Sequence, residues 1–483
     1  MLKEYIKEDS DMSVLNLVFK DPETELTSPQ LEAIKESLLK DKVIWSVEQG
    51  LGKTYLAVCL LNALLPQLRR EKKKAIICVP QNKLVDFQRH IESKTHAKTI
   101  TTTGDAKNIE RLKKNFSTAD CILCTPSAWG SSLEFNCRMF NASYQIGLMI
   151  YDEAAGIKDK GYMHFIELSR RFASNVAMAN GTPLGSASNF NEGNTEELRT
   201  LYNLLYSIDK VSTAYKTFYK NYTDHVRTAA NGLEVRRVNT DRIMDTFGEC
   251  SVNMNRSDLS ISTVYDPCNF HRVYTTKQQE IALESVQQNG DLVSGILYRP
   301  SVCLNYGIQP LQIAALYKLW QIVNTIPKTN NIIIYARNTD TLMLLKQLFT
   351  QSAHRPTVVL DGQHTPKASD KQLAEDTFNS TPGCIALTNI EKGSNLDAAS
   401  NIIVYDAPAD VLQYIFRGIR GAKSKTIQLD WIYYPYYDNN SMINTLLQIK
   451  NTMDLLNREN DLYELLKQEL LDVYPDNPRL KEV

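Results

Sequence analysis

The sequence predicts an α/β protein with parallel sheets, built twice along one chain. Short apolar runs of strand composition alternate with longer segments of helical spacing over residues 27–205, and again over 311–427. The stretch between them, 206–310, is rich in Tyr, Asn and Thr and lacks a clean parallel-strand pattern. A length of 483 residues also exceeds what one core of ordinary size organises, so two or three domains are expected.

Taken in order, residues 1–26 form an N-terminal segment of high charge, and "VIWSV" and "TYLAVCLLNALL" open the first block as a strand and a half-buried helix. "AIICVPQNKLVDF" (75–87) and "CILCTPSAW" (121–129) are strands ending in proline-containing turns, followed by "YQIGLMIYDEAAG" and "VAMANGTPLGSA" (176–187). The second block runs from "NIIIYARNTDTLMLLKQLF" (331–349) through "TVVLDGQHT" (357–365) to "CIALTNIEKGSNLDAASNIIVYDAP" (384–408) and "QYIFRGIRGAKSKTI" (413–427). The extension 428–483 is expected to be helical, because Leu, Ile and Met recur at helical spacing over 443–474 with charges between them.

Composition narrows the function. Hydrophobic content of 43% and charged content of 23% are those of a globular protein. "MLKEYIKEDSDM" does not read as a secretory signal, and the longest apolar run, near Leu56–Leu65, contains Asn62 and is too short for a bilayer, so no membrane role is expected. A net charge of −1 provides no global positive field, so any nucleic-acid binding must be local. The basic run "RREKKK" (69–74) reads as a solvated helix end, with phosphate contact as the alternative. Nine cysteines are scattered; Cys121 and Cys124 have CxxC spacing, but without a second pair they read as buried thiols before a metal or redox pair.

The most informative stretch is Glu48-Gln49-Gly50-Leu51-Gly52-Lys53-Thr54, followed by Tyr55, between a strand and a helix. Such a unit aims backbone N–H groups and a helix N-terminus at one point, which suits a polyphosphate. Gly50 and Gly52 permit close approach, Lys53 brings a charge to the β/γ-phosphates, and the Thr54 hydroxyl is a ligand for Mg²⁺. Val47 stands where the general pattern has its first glycine. About a hundred residues on, a strand ends in Asp152-Glu153: the first carboxylate suits Mg²⁺ through water, the second the attacking water.

The ordered series of segments resembles the superfamily 2 helicases, and among them the Snf2-type translocases. EQGLGKT, GTPL, LDGQHT with Phe378-Asn379, and KGSNLDAASNIIVYD carry the narrower likeness, which covers about residues 26–428. The resemblance implies two RecA-like domains, with 206–310 as a helical insertion and linker and ATP held between the domains. It implies that Gln30 reads adenine, that Gly181 and Thr182 couple the site to movement, and that Gln413, Arg417 and Arg420 serve it from the second domain, Arg420 as the arginine finger. It further implies backbone contacts to nucleic acid from Pro80, Gln81, Asn82, Lys83, Thr125 and Pro126, and from Thr388, Lys392, Gly393 and Asn395.

Two departures stand out. Ala155 replaces the histidine of the DEAH-type pattern, which bears on coupling, and Glu391-Lys392 occupy a region where a glycine is usual. The expectation is a monomeric, cytoplasmic, ATP- and Mg²⁺-dependent DNA helicase or translocase acting on duplex, forked or single-stranded DNA. The alternatives are a duplex translocase that displaces proteins without strand separation, an RNA substrate, and an ATP-switched recruitment protein using the helices of 443–474 for a partner.

Overall fold

A computed structural model of the chain describes residues 26–40, 42–47, 51–103, 106–125, 146–152, 173–179, 221–228, 234–239, 241–242, 245, 248–254, 263–286, 290–351, 353–365, 367–389, 395–406, 425–456 and 461–481. The chain divides into two compact units, residues 1–260 with 451–458 and residues 261–450 with 459–483.

In the first unit, helix α1 (Ser28–Leu39) starts at Thr27, whose hydroxyl accepts from the Gln30 backbone while the Gln30 side chain accepts from the Thr27 N–H. Strand β1 (Lys42–Val47) leads to α2 (Lys53–Arg70), which buries Leu56, Leu60, Leu61, Leu64 and Leu68. Then come β2 (Lys74–Cys78), α3 (Leu84–Lys94), β3 (Thr99–Thr102), α4 (Ala106–Asn115), β4 (Cys121–Cys124), β5 (Ile146–Asp152) and β6 (Ala173–Ala179). Strands β2, β4 and β5 are buried at every position, as expected of strands with both faces covered, which read as continuous apolar runs.

The next stretch departs from the sequence reading. Within 206–310, expected as a helical insertion, β7 (Thr223–Thr228) and β8 (Glu234–Val238) form an antiparallel pair. Strand β9 (Ser251–Met254) joins the first sheet, and β10 (Thr263–Arg272) joins the second. Both are edge strands. β9 buries only alternate positions and no described side chain of β10 is buried, so neither leaves an apolar run to read; β10 even carries Pro267 where its register shifts, as edges and bulges tolerate. Helices α5 (Lys277–Ser285), α6 (Gly290–Tyr298) and α7 (Pro300–Asn305) complete the stretch.

The second unit continues with α8 (Ala314–Thr325), β11 (Asn331–Tyr335), α9 (Thr339–Gln351), β12 (Thr357–Leu360), α10 (Ala368–Ser380), β13 (Ile385–Thr388), β14 (Ala399–Val404) and β15 (Lys425–Tyr433). The sheet orders are β3-β4-β2-β5-β6-β1-β9 and β10-β15-β14-β11-β13-β12, with every pairing in both parallel. Both units are thus parallel α/β sheets flanked by helices, as the sequence predicts. Helices α11 (Asn439–Leu456), α12 (Asp461–Val473) and α13 (Pro478–Lys481) close the chain. Met442, Ile443, Leu446, Ile449, Leu462, Leu466 and Leu470 are buried, and Glu469 pairs with Arg272 at 2.8 Å. The apolar stripe offered to a partner in the sequence reading is spent on the fold at these positions.

Candidate functional site

The carboxyl ends of β1, β5 and β2 carry most of the site residues expected in the first unit. Gly52 caps α2 in the left-handed region (φ 87°), which places Lys53 at the first helical position. The first turn of α2 contains no acidic residue, so the N-terminal end of its dipole is not offset there. Lys53 Nζ donates to the carbonyl of Val47, the last residue of β1, at 2.8 Å. Gln30 Nε2 donates to the Leu51 carbonyl at 3.3 Å, and a Cβ at Gly52 would lie 3.2 Å from the same nitrogen. Gln30, Leu51, Gly52 and Lys53 therefore meet around one turn. Tyr55, one residue past Thr54, packs its ring under Lys94 Nζ at 5.2 Å.

Asp152 is the last residue of β5. It is in register with Ala179 of β6, which is in register with Trp45 of β1, so the carboxylate stands two strands from the phosphate-loop strand, about 10 Å across. On the other side of β5, β2 leads through Pro80 into a short 3₁₀ turn, Gln81–Lys83. Lys83 Nζ reaches Asp152 Oδ2 at 2.8 Å, with side-chain exposures of 14% and 2%. Spacing along the sequence gave no sign of this pairing. A hydroxyl and a carboxylate are hard oxygen donors suited to Mg²⁺. Asp152 is a buried carboxylate that already pairs with a cation, the kind of oxygen donor Mg²⁺ takes.

The expected nucleic-acid contacts divide. Pro80 and Gln81 lie on the surface turn after β2. Thr125 and Thr388 are buried at the ends of their strands and expose almost no surface. Asn379 holds the Asn395 loop from both sides, donating to the Asn395 carbonyl at 3.1 Å and accepting from Ala398 N–H at 3.0 Å. The LDGQHT segment is a closed turn in which Asp361 accepts from the His364 backbone (2.5 Å) and faces His364 Nδ1 (2.9 Å). Burial alone would raise the Asp361 carboxyl, but these His364 bonds outweigh it and hold the group below its ordinary range.

Gly50, Pro126, Glu153, Gly181, Thr182, Lys392, Gly393, Gln413, Arg417 and Arg420 lie outside the described residues, as do Ala155 and Glu391; of Asn82 only the backbone is described. Cys121 and Cys124 are buried within β4, and burial pushes the Cys121 thiol up, in keeping with inert thiols. Among the described residues no His, Cys, Asp and Glu cluster suits a metal of its own, and no helix is long and apolar enough to cross a membrane. In the basic run, Arg69 pairs with Asp120 at 2.8 Å, while Lys74 is buried and donates to the Ser117 carbonyl at 2.9 Å.

Residues 27–189 match the family model described as DEAD/DEAH box helicase, and residues 312–424 match the helicase conserved C-terminal domain. Among solved structures, the chain is similar to the Sulfolobus solfataricus SWI2/SNF2 ATPase core in complex with dsDNA, at 15% identity and a TM-score of 0.40, over 93% of this chain and 97% of that one. A superposition this loose bears on neither substrate nor domain placement. No curated protein matches the chain significantly.

Proposed function

The chain belongs to the superfamily 2 helicases, nucleic-acid-dependent ATPases, and from that premise we propose that it is an ATP-driven motor whose substrate is DNA. The observation that supports this best is the turn at Gly52-Lys53 on the same sheet edge as Asp152, followed in the chain by a second parallel α/β unit.

In this reading Lys53 leaves the Val47 carbonyl for the phosphates, which the N–H groups at the start of α2, not occupied by a side-chain cap, also hold. Mg²⁺ held by Thr54 and, through water, by Asp152 would supply positive charge at the β/γ-phosphates. Glu153 orients and deprotonates the attacking water. Gln30, whose amide donates to the Leu51 carbonyl, reads the adenine edge by exchanging that bond. Arg420, with Arg417, completes charge neutralisation during hydrolysis. Gly181, Thr182 and Gln413 couple the nucleotide state to movement. Pro80, Gln81, Lys83, Lys392, Gly393 and Asn395 serve the nucleic-acid backbone without reading sequence.

DNA is preferred over RNA because EQGLGKT, GTPL and LDGQHT resemble the Snf2-type sequences. ATPase rates with single-stranded DNA, duplex, forked DNA and RNA, beside Lys53→Ala, test the reading. Stimulation by DNA, abolished in Lys53→Ala, is expected; a rate indifferent to every nucleic acid, with function surviving Glu153→Gln, points instead to an ATP-switched binding protein. Strand-displacement and triplex-displacement assays in parallel separate a helicase from a duplex translocase.

A further inference from the structure

The Lys83–Asp152 pair joins two elements with separate expected duties. Asp152 closes β5 at the nucleotide edge, and Lys83 ends the 3₁₀ turn that follows β2, where the nucleic-acid backbone is expected. The two are 69 residues apart in sequence, yet their charges meet at 2.8 Å with Asp152 almost wholly buried. A carboxylate so enclosed needs a cation, because an unpaired buried charge is costly. The ammonium provides it.

We propose that Lys83 is a placeholder cation for Asp152, expelled when Mg²⁺ enters with the nucleotide, and that the expelled lysine then turns to a nucleic-acid phosphate. This rests on reading Asp152 as a metal ligand. The reasoning is electrostatic: two cations cannot share one buried carboxylate without repulsion at short range. The ammonium is carried by a flexible four-carbon stem at the end of a turn whose Gln81 is exposed, and its own side chain is 14% exposed, so of the two cations it is the one whose stem can swing away. Loading of metal with nucleotide thus releases a positive charge at the strand-facing turn. By linkage, a bound strand that captures that charge tightens metal and nucleotide by the same factor.

The test is equilibrium binding of a fluorescent, non-hydrolysable ATP analogue titrated with Mg²⁺. Lys83→Met removes the competitor, so the Mg²⁺ midpoint should fall by roughly tenfold or more, while Lys83→Arg, which keeps the charge, should stay near wild type. A merely structural role moves the midpoint the other way, because a damaged site binds metal less well. A midpoint unchanged or raised in folded Lys83→Met overturns the proposal. Wild-type protein provides a second measurement that needs no variant: saturating duplex DNA should lower its Mg²⁺ midpoint, and a midpoint indifferent to duplex also overturns it. Analogue binding that is absent from wild type, or untouched by Lys53→Ala, instead defeats the nucleotide-site reading beneath it.

Discussion

The side-chain amide of Gln30 bridges two structures: its oxygen accepts from the N-cap of α1, and its nitrogen donates to the Leu51 carbonyl in the glycine turn. One side chain therefore fixes a helix start and steadies the turn expected to hold phosphate. The two duties can be separated. Glu at the same position keeps the capping box but cannot donate to Leu51. Gln30→Glu should therefore hold its melting temperature near wild type and lose preference for ATP over GTP. Gln30→Ala should lose both, with a stability cost of about 0.5–2 kcal/mol. Thermal melting beside competition binding of the two nucleotides decides it; equal ATP preference in all three proteins would remove Gln30 from base recognition.

The central strands were legible because burial on both faces leaves unbroken apolar runs, as in "AIIC", "CILC" and "NIII". Edge strands β9 and β10 were not, since β9 buries only Val252 and Met254 and no described side chain of β10 is buried. The placement of Gly52-Lys53 at a helix start and of Asp152 at a strand end was readable from residue type and spacing. Lys83–Asp152 was not, because an ion pair between distant segments has no signature along the chain. The burial of Thr125 and Thr388 was not legible either: threonine suits both a buried strand end and a phosphate contact, and residue type does not distinguish them.

Gly383 provides a stability prediction. It lies between α10 and β13 with φ 74°, and a Cβ there would sit inside the Lys328 carbonyl oxygen, a backbone atom that cannot rotate away. Its N–H is also held by Thr329 O (3.0 Å) and Asn331 Oδ1 (2.6 Å). Gly383→Ala should cost about 2–4 kcal/mol, from the left-handed backbone and forced overpacking together. Gly362→Ala, where a Cβ meets open space, is the control and should change stability by less than about 1 kcal/mol. Similar urea midpoints for the two variants would show that the Gly383 turn yields freely.

Arg420 is expected to act in hydrolysis rather than in nucleotide capture. Removing an arginine finger costs roughly 10³–10⁵ in rate. Arg420→Ala should show that loss in DNA-stimulated turnover while binding the ATP analogue within a few-fold of wild type. Lys53→Ala, by contrast, should lose binding and turnover together. The two variants measured side by side separate the roles, and a Arg420→Ala protein with near-normal turnover excludes the finger assignment.

The pH dependence of stability should carry the mark of Asp406, which follows β14. Burial pushes its carboxyl up from 3.8 to about 6; Arg337, 3.8 Å away, opposes the rise, and Asp438 adds to it. A folded-state value above the unfolded one means that the native chain keeps a proton the unfolded chain has released. Stability is therefore lost as pH rises from about 4 to about 6, and the loss is complete above that window. The shift corresponds to about 3 kcal/mol. Asp406→Asn cannot ionise, so its stability relative to wild type should climb by about that amount between pH 4 and pH 7, whatever the other groups contribute to both proteins. Denaturant unfolding at a series of pH values measures the difference directly. A constant difference across the series would mean that the Asp406 carboxylate is as well accommodated in the fold as in water.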